Sequence, residues 1–458
     1  MTGALAVATV LCAVRGAREV DVVTLLDAPG LQVTRRCADV VELRAAAAAG
    51  AGRVVVLSAD LPALDRETVA ELRGHGLGVV ALAAPGTWEE ERVRALGVQI
   101  VVDLAGPPGD LCDAVRVAAS GVEPGGGAPS PAAPARGPAG TEPGRRRTGR
   151  LVAVWGPTGA PGRTTLAVNL AAELAGPAVP ARRARRGARD RRALEVAVPA
   201  TAPTGPQADV LLVDADTYGG AVAQHLGLLD ESPGIAAAAR SASQGALDAD
   251  GLVALAPTVV PRLQVLTGLT RAARWPEVAG ASLDAVWEVA RTVADWTVVD
   301  CGFGIERDEL LSYDTRAPQR NDATLSALAA ADAVVVVGGA DPVSLQRLVR
   351  ALDALTESGL TTGAVRTVVV NRVRSAVVGP RPERAVRDAL ARYAGVEDLC
   401  AVPEDRAADV ALREGRTLVE VAPAGAARRA VAALAARVRD TTPVPVGGGG
   451  ANLVQAAH

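Results

Sequence analysis

The stretch Leu151-Val-Ala-Val-Trp155-Gly-Pro-Thr-Gly-Ala-Pro-Gly-Arg-Thr-Thr165-Leu-Ala-Val-Asn-Leu170 joins an apolar strand-like run to a helix start through a loop of glycine, proline and threonine. A tight loop feeding a helix N-terminus aims several backbone N–H groups and the positive end of the helix dipole at one point, and a polyphosphate fits that point. The loop departs from the usual glycine-rich phosphate pattern G-x-x-x-x-G-K-[ST]. The first glycine of that pattern would fall at Pro157 and its lysine at Arg163, while Gly162, Thr164 and Thr165 fit. Arg163 still brings a permanent charge, but as a broad planar fork instead of a compact ammonium. Pro157 and Pro161 lack N–H donors, which thins the cradle. A sharp strand-to-helix turn with no ligand is the alternative reading.

The chain has 458 residues, 49% of them hydrophobic, and a net charge of -3, which places it among globular proteins of two or three domains. Its five cysteines (Cys12, Cys37, Cys112, Cys301, Cys400) are scattered and only three histidines occur, so reduced thiols in a cytoplasmic setting are expected and a structural zinc site is not. No lysine occurs, and all 48 basic residues are arginine. Lysine-dependent catalysis is therefore excluded. With 2% aromatics, recognition of bases by aromatic platforms is not expected either. Residues 4 to 14 are apolar without a positive segment before them, which reads as a strand and not a signal peptide.

Outward from the loop, the chain alternates strand and helix patterns on both sides. Residues 1–120 carry expected strands at Ala4 to Val14, Val20 to Leu25, Arg53 to Leu57, Val79 to Ala83 and Gln99 to Val102, with helical patterns at Arg66 to Arg73 and Trp88 to Leu96. This alternation predicts a small doubly wound α/β domain. Residues 121–150 are rich in Gly, Pro and Ala and end in Arg145-Arg-Arg-Thr-Gly-Arg150, the composition of a disordered linker. Residues 151–440 alternate again, interrupted by a segment at 177–208 that holds seven arginines between Arg182 and Arg192. The Gly-rich tail 441–458 is expected to be disordered. Within the larger domain, Asp209 to Val213, Trp296 to Val299, Ala333 to Val337, Val368 to Val370 and Leu399 to Val402 read as strands. Asp341-Pro342 supplies a cap and first-turn proline for a helix with the apolar stripe Leu345, Leu348, Val349, Leu352 and Leu355.

The strands end in polar residues, as expected where an open parallel sheet presents a ligand edge. After Val213 come Asp214 and Asp216; after Val299 comes Asp300-Cys-Gly-Phe-Gly304; after Val370 comes Asn371-Arg372; after Val402 comes Pro403-Glu404-Asp405. Each has an ordinary alternative: the two aspartates could cap a loop, Asp300 could cap a strand end, and Asn371 could close a turn.

The ordered set Gly162-Arg-Thr-Thr-Leu-Ala-Val-Asn-Leu-Ala171, Leu211-Leu-Val-Asp-Ala-Asp216, Val298-Val-Asp300, Ala331-Asp-Ala-Val-Val-Val-Val337, Val369-Val-Asn-Arg372 and Val402-Pro-Glu-Asp405 resembles the MinD/ParA family of deviant P-loop ATPases. With the front domain, the nearest shape is that of CpaE-type pilus-assembly ATPases of actinobacterial style. The segment Val54-Val-Val-Leu-Ser58-Ala-Asp-Leu-Pro62 resembles the third strand and following loop of response-regulator receiver domains, with Ser58 where that family has its phospho-accepting aspartate. Cys12-Ala-Val-Arg15 stands where its acidic pair belongs. The front domain thus reads as a pseudo-receiver, a docking domain without phosphoryl chemistry; an unrelated small α/β domain fits equally.

The main resemblance implies ATP and Mg²⁺ as ligands. Gly159, Ala160, Gly162, Arg163, Thr164 and Thr165 would face the phosphates, with Arg163 and Asp216 catalytic. Thr164, Asp300 and Asp214 would serve the metal. Asn371 and Pro403 would meet the base. The family's second lysine, which reaches across a dimer, would fall at Thr158, so hydrolysis of ATP to ADP and phosphate is expected to be slow or absent unless an arginine substitutes. The implied function is a cytoplasmic switch that positions a cellular machine (septum, pilus or secretion assembly, or chromosome partitioning) through an ATP-bound homodimer, with a protein partner on the front domain. A nucleotide-binding scaffold without turnover is the alternative. DNA binding through the arginine runs is the less favoured reading. The closing Val444 to His458 has no basic face, so direct membrane attachment by an amphipathic helix is not expected, and recruitment to the inner membrane face would need a partner.

Overall fold

The computed structural model describes residues 7–121, 149–176, 208–228, 233–307 and 318–442. The expected linker 121–150, the insertion 177–208 and the tail 441–458 lie almost wholly outside the described residues, together with the arginines 182–192 and 145–147.

Two sheets organise the described residues. The first contains β1 (Ala8–Ala13), β2 (Leu31–Arg36), β3 (Val54–Ser58), β4 (Gly78–Leu82) and β5 (Ile100–Val102) in the order β2-β1-β3-β4-β5, with every pair parallel. Between and after the strands run α1 (Arg18–Leu25), α2 (Val40–Ala48), α3 (Arg66–Gly74), α4 (Trp88–Ala95) and α5 (Pro108–Ala119). This is the flavodoxin-like strand order. Strand β3 is buried along its whole length, as a parallel strand covered on both faces must be.

One expected element is of the wrong type. The segment Val20 to Leu25, expected as a strand, lies in helix α1, and the second strand is Leu31–Arg36. A parallel pair needs a crossover before its second strand can join, so the residues after β1 must leave the sheet. Buried Val22 and Leu26 then meet one helical turn apart, with Glu19 and Asp21 at the favourable N-terminal end. The true second strand escapes notice because it is an edge strand whose Gln32 and Thr34 to Arg36 face solvent.

The second sheet holds β6 (Arg150–Trp155), β7 (Val210–Ala215), β8 (Thr258–Val260), β9 (Leu263–Leu266), β10 (Trp296–Cys301), β11 (Ala333–Gly339), β12 (Val365–Val373) and β13 (Leu399–Pro403). Their order is β13-β12-β11-β6-β10-β7-β9-β8, parallel throughout except for the β8–β9 edge pair. The doubly wound, mostly parallel α/β class expected from sequence is therefore the observed one. Strands β8 and β9 were not foreseen: prolines at 257 and 261 flank a three-residue strand and give the segment the look of a loop.

Strand β6 divides its side chains between two core layers, as the period of two requires. Leu151, Ala153 and Trp155 face the layer that contains Trp287 of α10 (Gly280–Val293); Val152 and Val154 face the layer built with α6 (Arg163–Ala175) and α17 (Ala426–Thr441). Helix α6 is buried from Leu166 to Ala175, so its two polar side chains need partners. Asn169 Oδ1 accepts from the Leu418 N–H at 2.7 Å, and Glu173 pairs with Arg428 at 2.6 Å. The two units also touch. Arg66 of α3 donates to the Ala281 carbonyl at 2.8 Å, and Glu67 accepts from Ser243 at 2.9 Å and from Ser282.

Candidate functional site

The sheet order places β6 between β10 and β11, with the next neighbours running off in opposite directions, and the ligand crevice of an open parallel sheet lies at such a reversal. The loop 156–162 leaves β6 at this point. Its glycines each answer a local demand. Gly159 and Gly162 have φ of +75° and +84°, the left-handed region that side chains avoid. A Cβ on Gly162 would also strike the Asn371 amide, and one on Gly156 would strike the Val337 carbonyl. The loop is thus pressed against the ends of β11 and β12.

Helix α6 begins at Arg163 with no side chain capping its N-terminus, and Leu166 N to Gly162 O, 2.9 Å, is the bond that opens its ladder. The N–H groups of Arg163, Thr164 and Thr165 precede that bond and point out of the helix start, the arrangement that attracts an anion. Ala160, expected among the phosphate contacts, instead donates its N–H to the Pro157 carbonyl at 3.0 Å and closes the loop's own turn. Arg163 folds back. Its Nη1 donates to the Gly156 carbonyl at 2.8 Å, its Nη2 lies 3.5 Å from Asp216, and its guanidinium stands 6.0 Å from the Phe303 ring centre.

The three aspartates gather beside this helix start, in different electrostatic circumstances. Asp214 and Asp300 are register partners across β7 and β10, and both are buried. Asp214 accepts from the N–H groups of Asp216 (3.2 Å) and Val222 (3.0 Å), and Gly220 and Gly268 pack so close that a Cβ on either would lie 2.7 or 2.5 Å from its carboxyl group. Asp216 accepts from Tyr218 at 2.8 Å and Gly219 at 3.2 Å. Both therefore hold the loop after β7, the ordinary role sequence left open for them. Asp300 does not: neither of its carboxylate oxygens has a hydrogen-bond partner among the described residues. Burial pushes its pKa well above the usual carboxylate range, the charge of Asp214 adds to this, and the Thr164 hydroxyl and Arg163 act in the opposite direction. Asp214 is likewise pushed up by burial, against the N–H groups it accepts from.

An uncompensated buried carboxylate costs free energy unless a cation meets it. Asp300 beside the Thr164 hydroxyl and an open helix N-terminus offers oxygen ligands to a hard divalent cation and N–H groups to its phosphate. Among the described residues no three or more His, Cys, Asp or Glu side chains converge as a closed metal cage. Mg²⁺ suits such a place, since it commonly takes one or two carboxylates and completes its shell with water and substrate phosphate.

On the other side of Gly162 opens a pocket of about 530 Å³ lined by Thr165, Asn371, Arg372, Pro403 and Asp409 among others. Asn371 and Pro403, expected to meet a base, are both there. The register between β12 and β13 breaks between Val370 and Val373, where Arg372 takes a φ of +55°. Asn371 donates to the Pro161 carbonyl at 3.0 Å and accepts from the Arg372 N–H at 2.9 Å, so its amide clamps the loop 156–162 to β12.

Sequence reasoning overlooked an aromatic bracket. Tyr218 and Phe303 lie with ring centres 4.5 Å apart, Arg320 stacks on Tyr218 at 3.9 Å, and Trp155 donates to the Phe303 carbonyl at 3.2 Å. These contacts tie together the loops that follow β7 and β10. The signal was available: the chain has one phenylalanine and three tyrosines, and Tyr218 and Phe303 follow Asp216 and Asp300 within three residues. Arg347 was also overlooked, and no local signal marks it.

No family model matches the chain, and no curated protein matches it. Among solved structures it is similar to a ParA family ATPase from Chlorobium tepidum, at 17% identity over 63% of this chain and 98% of that chain, with a TM-score of 0.48. It is similar to the septum site-determining protein MinD from Pyrococcus horikoshii, complexed with Mg-ADP, at 17% identity over 63% and 95% with a TM-score of 0.43. A Cyanothece McdA variant complexed with ATP matches at 14% identity over 68% and 100%, with a TM-score of 0.45.

Proposed function

We propose that this chain is an ATP- and Mg²⁺-binding switch protein of the MinD/ParA kind, whose residues 151–440 form the nucleotide unit and whose residues 1–120 form a protein-docking unit without phosphoryl chemistry. The observation that carries this reading is the pairing of an uncapped helix start at Arg163 to Thr165 with the unpartnered, buried Asp300 at the adjoining strand end. Backbone N–H groups of the first turn bind phosphate, the Thr164 hydroxyl and Asp300 hold the metal's oxygen shell, and the pocket by Asn371 and Pro403 takes the base. Mg²⁺ when bound supplies charge neutralisation at the phosphates. Asp216, 3.5 Å from Arg163 beside the helix start, is suited to orient a water.

Turnover would couple nucleotide state to homodimerisation and thereby to the placing of a cellular machine: the septum, a pilus or secretion assembly, or a partitioning complex. The docking unit supports the partner-binding half of this reading. At its sheet switch point stand buried Ser58 and, on the surface, Arg15 paired with Asp60 at 3.9 Å, not a cluster of acids. A second reading, nucleotide binding without hydrolysis, is favoured by the capture of Arg163 on Gly156 and Asp216 and by the neutral Thr158.

Titration of the full chain with ATP tests the proposal. Saturable binding strengthened by Mg²⁺ is expected, with the metal dependence lost in Asp300→Asn; folded protein that binds no ATP overturns it. Phosphate release abolished by Asp216→Ala supports the switch, and binding without release supports the scaffold. No helix among the described residues is long and apolar enough to cross a membrane.

A further inference from the structure

We propose that Arg347 is the phosphate-binding cation of this site, acting on the nucleotide of its own chain from outside the loop that cradles it; the assignment rests on the nucleotide reading above. Arg347 lies in the second turn of α12 (Pro342–Glu357), the helix that follows β11. Small residues bring that helix onto the loop. A Cβ on Gly338 would lie 2.5 Å from Leu348, one on Gly339 would lie 2.9 Å from both Pro161 and Ser344, and one on Gly156 would strike the Val337 carbonyl. Only with bare backbone at these three points can β11, α12 and the loop approach so closely.

The result is an arginine laid over the loop. Arg347 Nη1 donates to the Thr158 carbonyl at 3.4 Å and covers Gly159 so closely that a Cβ there would strike it. The two arginines at the loop differ in how their charge is spent. Arg163 is mostly buried, held at 2.8 Å by the Gly156 carbonyl and neutralised by Asp216. Arg347 is exposed and, among the described residues, forms no ion pair, and its one hydrogen bond is long. A long bond to a neutral carbonyl is readily exchanged for a charge-assisted bond to a phosphate oxygen, and the guanidinium fork can grip two such oxygens.

The ligand class is a nucleoside di- or triphosphate, with recognition concentrated on the phosphates beyond the first. Calorimetric titration of the full chain with ATP, ADP and AMP tests this. Arg347→Gln is expected to weaken ATP by about tenfold or more and AMP by less than about twofold, while Arg347→Lys keeps ATP within about threefold of wild type. Arg347 is exposed, so unchanged melting without nucleotide serves as the folding control. If Arg347→Gln binds ATP as wild type does, or weakens ATP and AMP equally, the assignment is overturned and the site stands. If the wild-type chain binds none of the three, the site falls and the assignment with it.

Discussion

Asp300 has the most to gain from a ligand. It is 1% exposed, lacks any hydrogen bond among the described residues and sits beside another buried carboxyl, so the metal-free fold holds it more readily as the neutral acid. The same applies to Asp214, whose pKa is raised from 3.8 to about 7 by burial. A carboxyl whose folded pKa is raised makes its full contribution to stability below the unfolded value, and that contribution is lost as pH climbs through the folded value. Metal-free protein should therefore lose stability at this site as pH rises from about 4 through about 7. In Asp300→Asn the decline should be shallower, and at pH 8 we expect a melting temperature higher than wild type by roughly 2–4 °C, on the order of 1 kcal/mol. Thermal melting across pH without metal checks this; a variant less stable than wild type at pH 8 would contradict it. The same substitution destroys the proposed metal site, so stability and function oppose each other at one residue.

Helix α12 shows how a cap, a stripe and an approach combine. Asp341 accepts from the N–H groups of Val343 (3.1 Å) and Ser344 (3.0 Å) and from the Ser344 hydroxyl (2.5 Å), Pro342 opens the first turn, and Leu348 and Leu355 anchor the buried side. All of this is readable locally, because capping and periodicity depend on residues within a few positions of one another. The placement of Arg347 over Gly159 is not, since it depends on β11 lying beside β6, nearly two hundred residues earlier in the chain. Asp341→Ala is expected to cost about 1 kcal/mol, seen as a lower denaturation midpoint and faster hydrogen exchange in the first turn of α12. An unchanged midpoint would show that packing alone holds this helix start. Helix α1 marks the opposite case: its short apolar run fits strand or helix equally, and only the need for a crossover between β1 and β2 decides.

The two sheets are linked through α3 and α10. Arg66 lies half-buried between them, giving one N–H to Ala281 at 2.8 Å and another to Ala95 at 2.6 Å, and Glu67 is held by hydroxyls of Ser243 and Ser282. Helix α10 leads directly into β10, whose last two residues are Asp300 and Cys301, so the front unit packs against the element that precedes Asp300. Arg66→Ala strips two carbonyls of their partner. The expected outcome is faster hydrogen exchange in α3 and in the first turn of α10, with exchange in β3 and β6 unaltered; unaltered exchange in both helices would show that the contact does not hold the units together.

Local chemistry in the chain was enough to establish the alternation of strand and helix, the tight strand-to-helix turn through Gly159 and Gly162, and the polar residues at the strand ends, because apolar runs, glycine conformations and caps act over a handful of positions. Tertiary pairing alone decided that β10 inserts between β6 and β7, which brings Asp300 next to Thr164 with neither carboxylate oxygen hydrogen-bonded among the described residues, while Asp214 and Asp216 accept from N–H groups of the loop after β7. It alone brought Arg347 to the loop. Contacts between residues more than a hundred positions apart leave no local trace; they are set by which buried faces can pack together once the whole chain has folded.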